Sequence, residues 1–210
     1  TMAETRARLH PPADGADEVR QFPFSALLLN TGTGRLLEAA RLAGLEATDW
    51  TWSPRWEDYD NDGRVDLHVT NGMYREIHNQ DLIGRRAMAG DLNTAMQAVR
   101  NSPKLAETNL AFRNLGGLRF DNVSAAWGLA DTGVSFGSAT GDLDGDGDLD
   151  LLYCNYQAGP TLLRNNSDTG HRLVCALRGI RSNRFGIGAL VTVETAAGPQ
   201  LRPIALGRGF

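Results

Sequence analysis

Asp142-Leu143-Asp144-Gly145-Asp146-Gly147-Asp148-Leu149-Asp150 sets five carboxylates within nine residues, and Asp58-Tyr59-Asp60-Asn61-Asp62-Gly63-Arg64-Val65-Asp66 repeats the pattern. Like charges packed this densely repel one another unless a cation lies among them. The spacing D-x-D-x-D-G-x-x-D turns alternate side chains toward one centre, and glycine at the sixth place permits the sharp turn. The expected ligands are therefore Asp58, Asp60, Asp62 and Asp66 in one loop and Asp142, Asp144, Asp146 and Asp150 in the other, with Arg64 and Asp148 at the seventh place offering a carbonyl. An all-oxygen set without His or Cys favours a hard ion. Calcium at two sites is the expectation.

The same opening residues begin an EF-hand loop, which closes with a bidentate Glu at its twelfth position. Counted from Asp58 and Asp142 those positions hold Val69 and Tyr153. Neither loop closes that way. Each runs instead into Asp66-Leu67-His68-Val69-Thr70 or Asp150-Leu151-Leu152-Tyr153-Cys154, short apolar or alternating segments that read as strands. The loops therefore join strand to strand.

Slid against itself by 84 residues, the offset of 142 minus 58, the chain matches without a gap from Leu27 to Gly72: Asn30 meets Asn114, Gly44-Leu45 meets Gly128-Leu129, and Asn71 meets Asn155. A third partial copy starts at Leu162-Leu163-Arg164-Asn165. Repeated strand-turn units suggest a propeller or solenoid in which each unit covers the apolar face of its neighbour. One repeat reads as strands at 135–141, 150–155 and 161–165, and the earlier copy as strands at 51–56, 66–71, 110–113 and 118–123. The reading is all-β, with four-stranded antiparallel propeller blades whose loops between first and second strands carry the acidic motif. Two such units cannot close a ring of about 4–8 blades.

Ser135-Phe136-Gly137-Ser138-Ala139-Thr140-Gly141-Asp142 with the loop and Leu149-Asp150-Leu151 behind it resembles the FG-GAP/VCBS repeat family, and Leu27-Leu28-Leu29-Asn30 and Phe112-Arg113-Asn114 look like its following strand. Ser182-Asn183-Arg184-Phe185-Gly186-Ile187-Gly188-Ala189-Leu190-Val191 with Gly207-Arg208-Gly209-Phe210 resembles the ASPIC/UnbV segment found at the end of some members, although Phe185 stands where an acidic residue is expected. The resemblance implies propeller repeats over 27–170, preceded by a lead-in from an earlier blade at 1–26 and followed by an ASPIC/UnbV-like β segment at 171–210. It also implies a longer parent chain that supplies the remaining blades.

Formal charge is −4, which two divalent cations would balance. Lys104 is the single lysine and no basic stripe is present, so nucleic acid is not the expected partner. No apolar run approaches the ~18 residues of a membrane span, and the first twenty residues carry no signal-peptide block. The expected setting is extracellular, cell-surface or periplasmic, with any signal upstream. Cys154 and Cys175 fall in apolar stretches, the second within Leu173-Val174-Cys175-Ala176-Leu177, which reads as a strand; both are expected as small buried side chains.

Residues 73–108 interrupt the first unit. Met88, Leu92, Met96 and Val99 recur at helical spacing until Pro103, which suggests a helix whose apolar stripe packs on the blade. In an up-and-down meander this insertion emerges opposite the acidic loops, where Trp50, Tyr74, Arg75 and His78 form the candidate ligand rim, with glycan or an extracellular protein as partner. The expected function is that of a calcium-binding extracellular module without catalysis. The rival is a calcium-dependent polysaccharide lyase or hydrolase. Against it, the clustered carboxylates are already committed to cations, and Glu57, Glu76 and Asp81 stand isolated, with no nucleophile and base in evident partnership.

Overall fold

The structure is a computed structural model that describes residues 24–76, 84, 91–196 and 198–205. Along the chain come β1 (Leu28–Asn30), β2 (Leu36–Glu38), α1 (Ala40–Ala43), β3 (Thr51–Glu57), β4 (Asp66–Asn71), α2 (Leu92–Arg100), β5 (Glu107–Thr108), β6 (Leu110–Gly116), β7 (Arg119–Asn122), β8 (Thr132–Gly133), β9 (Ser135–Gly141), β10 (Asp150–Asn155), β11 (Thr161–Leu163), β12 (Leu190–Thr195) and β13 (Gly198–Pro203). The protein is mostly β and built from several small antiparallel sheets. Among the described residues no closed ring of blades is present.

The largest sheet runs β3-β4-β6-β7 in chain order, and the next runs β9-β10-β11. The 84-residue offset holds residue for residue in the first two strands: β3 and β4 begin and end 84 positions before β9 and β10. Even the irregularities correspond. The ladder shifts between Thr51 and Ser53 in one hairpin and between Tyr153 and Asn155 in the other, and Thr51 donates to Asn71 Oδ1 (2.8 Å) as Ser135 donates to Asn155 Oδ1 (2.9 Å).

Every residue of β4 is buried, because the strand is covered on both faces. Leu67 and Val69 join a cluster with Ala43, Leu45 and Phe112, against which Leu27, Trp56, Leu110 and Phe120 pack. The alternate residues turn the other way, as a period of two requires. His68 stacks on Tyr153 with ring centroids 6.0 Å apart, and Thr70 donates to the Phe136 carbonyl. Ser53 and Arg55 of β3 bond to Ser138 of β9, and Trp52 meets Phe136 edge to face at 5.1 Å. The two sheets thus pack face to face, with a polar seam as well as aromatic contacts.

Several expectations need correction. The helix of the insertion begins at Leu92, capped by Asp91 accepting from Thr94 N (3.0 Å), and it buries none of its residues. Leu92 and Met96 are exposed, so these two do not pack on the sheet as expected; Val99 is half-buried, and Met88 lies outside the described residues. The insertion is anchored at its base instead, where Met73 bridges Leu105 and Glu76 N donates to Pro103 O (2.7 Å). Residues 173–177 form no strand, and Leu173 and Val174 are exposed. Cys154 and Cys175 are both free and exposed rather than buried; Cys154 lies on the face of β10 that no further sheet covers among the described residues. The third strand of the second sheet stops at Leu163, short of Asn165. Most of the 1–26 lead-in lies outside the described residues, while the final segment supplies the β12-β13 hairpin.

Candidate metal centres

Each acidic loop is shaped first by its own backbone. In the first, Asp58 Oδ2 accepts from Gly63 N (3.0 Å), Asp60 Oδ1 from Asp62 N (3.2 Å) and Asp62 Oδ1 from Arg64 N (2.9 Å). In the second, Asp142 Oδ2 accepts from Gly147 N (3.1 Å), Asp144 Oδ1 from Asp146 N (3.2 Å) and Asp146 Oδ1 from Asp148 N (2.9 Å). The sixth place needs a left-handed backbone, at φ 90° in Gly63 and 92° in Gly147, which is why glycine stands there. The fourth place is left-handed too, and is filled by Asn61 (φ 55°) and Gly145 (φ 81°), the residue types that tolerate it best.

The ninth aspartate is the keystone in both loops. Asp66 is wholly buried and accepts from Tyr59 N (3.0 Å) and Asn114 N (2.8 Å). Asp150 is buried and accepts from Leu143 N (3.0 Å) and Asn165 N (2.9 Å). The asparagines repeat each other in turn, Asn114 Nδ2 donating to Val65 O and Asn165 Nδ2 to Leu149 O. Each keystone oxygen keeps a lone pair beyond the one its hydrogen bond uses.

Carboxylate oxygens of Asp58, Asp60 and Asp66 converge within 4.8 Å of one another, as do those of Asp142, Asp144 and Asp146. Either triad could hold a metal ion such as calcium. The donor set is all oxygen, as a hard cation requires, and in the first loop Asp58 Oδ1 is buried with no hydrogen-bond partner among the described residues, the kind of orphaned atom that a cation would satisfy. Burial is the main reason Asp66 is pushed up to about 6, with the charges of Asp60 and Asp58 adding to it, and Asp58 is raised for the same principal cause.

Not every residue expected in the ligand sets sits in a triad. Asp62 pairs with Arg64 (2.9 Å) and Arg113 (3.3 Å), so the Arg64 side chain serves as a counter-ion. Asp148 points its fully buried carboxylate away from the other four, to Arg172 and to Asn61 Nδ2 (2.7 Å) of the first loop. The notion of five carboxylates crowding one turn is therefore too simple, because Asp148 clasps the two loops together.

The aspartate spacing does not mark the arginines that serve these loops. Arg113 pairs with Asp60 and Asp62, and Arg164 pairs with Asp144 and Asp146 in the same arrangement. Both occupy the place before the keystone-capping asparagine, so the recurrence of Arg-Asn after a strand was the available signal. Arg202 of β13 reaches Asp58 Oδ2 at 3.4 Å, a contact between distant segments that no local pattern announces.

The candidate ligand rim lies at the other end of the first sheet. Gly72 N donates to Trp50 O (3.1 Å), Trp50 N donates to Glu107, Arg75 donates to Ser102 O (3.2 Å), and Tyr74 is exposed against Tyr156 with centroids 5.8 Å apart. Trp50, Tyr74 and Arg75 thus share one end of the molecule, while His78 lies outside the described residues. Lys104 over the Tyr156 ring (5.1 Å) extends this surface. No family model matches the chain, and no curated protein matches it at a significant level.

Proposed function

We propose that the protein is a calcium-binding, non-catalytic module of an extracellular or periplasmic β-propeller of the FG-GAP/VCBS kind, acting in ligand or protein binding. The observation that carries the reading is the duplication of one hydrogen-bond framework around two oxygen triads at the same register of an 84-residue repeat. A chance acidic turn has no reason to reproduce its keystone, its capping asparagine and its counter-ion arginine together.

The propeller part of the reading is supported by one four-stranded meander in chain order and by the face-to-face packing of successive units. The exposed face of β10 and β11, with Leu152 and Leu162 on it, is where a following blade would sit. A cation in each loop would tie the β3-β4 and β9-β10 turns to their keystones and neutralise them. The rim of Trp50, Tyr74 and Arg75 is the proposed binding end, with glycan as the first ligand class to test because aromatic rings exposed beside polar groups suit sugar rings. Isothermal titration with calcium tests the central claim. Two ions bound per chain are expected, and no uptake at millimolar calcium would overturn it.

A further inference from the structure

The outer edge of β11 is unpaired among the described residues, whereas the corresponding edge of β6 in the first sheet is covered by β7. The chain leaves β11 for another task. Thr169 donates to the Asp60 carbonyl and Arg172 pairs with Asp148, so the residues that would form a fourth strand are drawn off to the acidic loops.

A cavity of about 420 Å³ lies beside that edge, within the range of small ligand sites. Its position in the repeat identifies it. Trp127, Leu129 and Leu151 line it, and 84 residues earlier stand Ala43, Leu45 and Leu67 of the first unit's buried cluster. Leu163, also a lining residue, precedes Arg164-Asn165 as Phe112 precedes Arg113-Asn114. The cavity is thus the second unit's version of that cluster, with three aromatic rings lost by position, Phe112 to Leu163 among them, and one gained where Trp127 stands for Ala43. Trp56 has Thr140 as its counterpart. Phe120, which meets Trp56 edge to face at 6.0 Å, has none, because its strand is the one not formed. Tyr59 closes the cavity from the first loop, and its buried hydroxyl has no hydrogen-bond partner among the described residues.

We infer that the edge of β11 and this cavity together form a strand-addition site for an extended segment of a partner protein that carries an aromatic residue followed by an acidic one. Strand addition supplies affinity through the backbone ladder and specificity through a side-chain pocket. The first sheet provides the template: on β7, Phe120 lies opposite Asn114 and Asp121 opposite Arg113. The same placement on the second sheet sends the aromatic ring among Trp127, Leu129, Leu151 and Leu163 and sets the acidic residue against Arg164, which lies at the cavity rim with a largely exposed side chain. A polar group on the incoming segment would also satisfy the Tyr59 hydroxyl.

The test uses the full chain and a fluorescein-labelled peptide with the sequence Leu118–Val123, followed by fluorescence anisotropy. Saturable binding is expected at up to millimolar protein. The peptide with Phe120→Ala should bind about tenfold more weakly or worse, the effect of losing one buried aromatic ring. Leu163→Lys in the protein should abolish binding, whereas Leu162→Lys, on the same strand but the opposite face, should leave it intact. Absence of saturable binding, equal affinity of the Phe120→Ala peptide, or unchanged binding to a folded Leu163→Lys protein would each overturn the inference. If Leu163→Lys fails to fold, the two peptides measured on the unaltered protein decide it.

Discussion

The loop at 58–66 and the loop at 142–150 share a backbone framework but differ in how their charge is balanced. The first has four carboxylates against the guanidiniums of Arg64, Arg113 and Arg202, leaving one negative charge; the second has five against Arg164 and Arg172, leaving three. Burial differs as well. The triad of the second loop is exposed, while in the first Asp58 and Asp60 are half-buried and Asp66 is wholly buried. A shared framework therefore does not imply shared affinity. The framework fixes where oxygens point, and the surrounding charge sets how strongly they attract a cation.

The largest effect that would break this comparison is loss of the second site. Two extra uncompensated charges should make the second loop bind calcium at least about tenfold more tightly, or about 1.4 kcal/mol. Asp142→Ala should then remove the tighter of two binding steps in calorimetry. It should also lower the stability gained from calcium by about 3 kcal/mol at a hundredfold excess over Kd, a gain that chelator abolishes in the unaltered protein. Superimposable melting curves in calcium and in chelator would refute the whole scheme.

Asp58→Ala is the companion experiment, with a smaller effect. It should abolish the weaker step and leave the tighter one in place. Equal loss from both substitutions would mean that the loops bind as one unit, joined through the Asn61–Asp148 bond, and the ranking by charge would have to be abandoned.

The ordering of these loops was largely legible in the sequence, because the spacing of aspartates and glycine is a local signal that the backbone alone must satisfy. The strands at 51–57, 66–71, 135–141 and 150–155 were legible for the same reason, since their alternation and the 84-residue repeat both marked them. What escaped notice depends on contacts between distant segments. Arg202 reaches Asp58 across 144 positions, Asp148 is taken up by Arg172, and 173–177 reads as a strand because it is apolar, yet a strand needs a partner and none is offered among the described residues. Cys154, expected buried, is exposed because in the second unit the outward face of its sheet is left open among the described residues.

The two units also differ at His68, which is interior in the first unit while its counterpart is exposed in the second, and a substitution there sharpens the comparison. His68 is wholly buried with neither ring nitrogen hydrogen-bonded among the described residues, and burial pushes it down to about 4 despite the charge of Asp131. Its counterpart 84 residues on is Leu152. His68→Leu should therefore be neutral or stabilising by about 1 kcal/mol at pH 7, because it removes unsatisfied polar atoms. The gain should widen in acid. The unfolded chain takes up a proton on this histidine below about pH 6.5 while the folded chain resists until about pH 4, so the unaltered protein loses stability across that window, by about 2 kcal/mol at pH 5. Denaturant titrations at pH 7 and pH 5, in chelator, measure both. A destabilising His68→Leu would show that the histidine has a polar partner after all.

The smallest effect tests whether charge alone ranks the loops. Arg202 lies 3.4 Å from Asp58 Oδ2, and about a third of its side chain is exposed, so its field at the first loop is partly screened by solvent. Arg202→Gln keeps most of the side chain's length and hydrogen-bonding capacity while deleting the charge. The first loop would then hold two uncompensated negative charges rather than one, and its calcium affinity should rise about two- to fivefold, the scale of one partly exposed ion pair. The second loop has no contact with Arg202 and should not change. Because the charge of Arg202 competes with the cation, the gain should shrink as salt is raised from low to physiological ionic strength. If affinity at the first loop falls instead, Arg202 orients Asp58 for the cation more than it competes with it, and the difference between the loops is one of geometry.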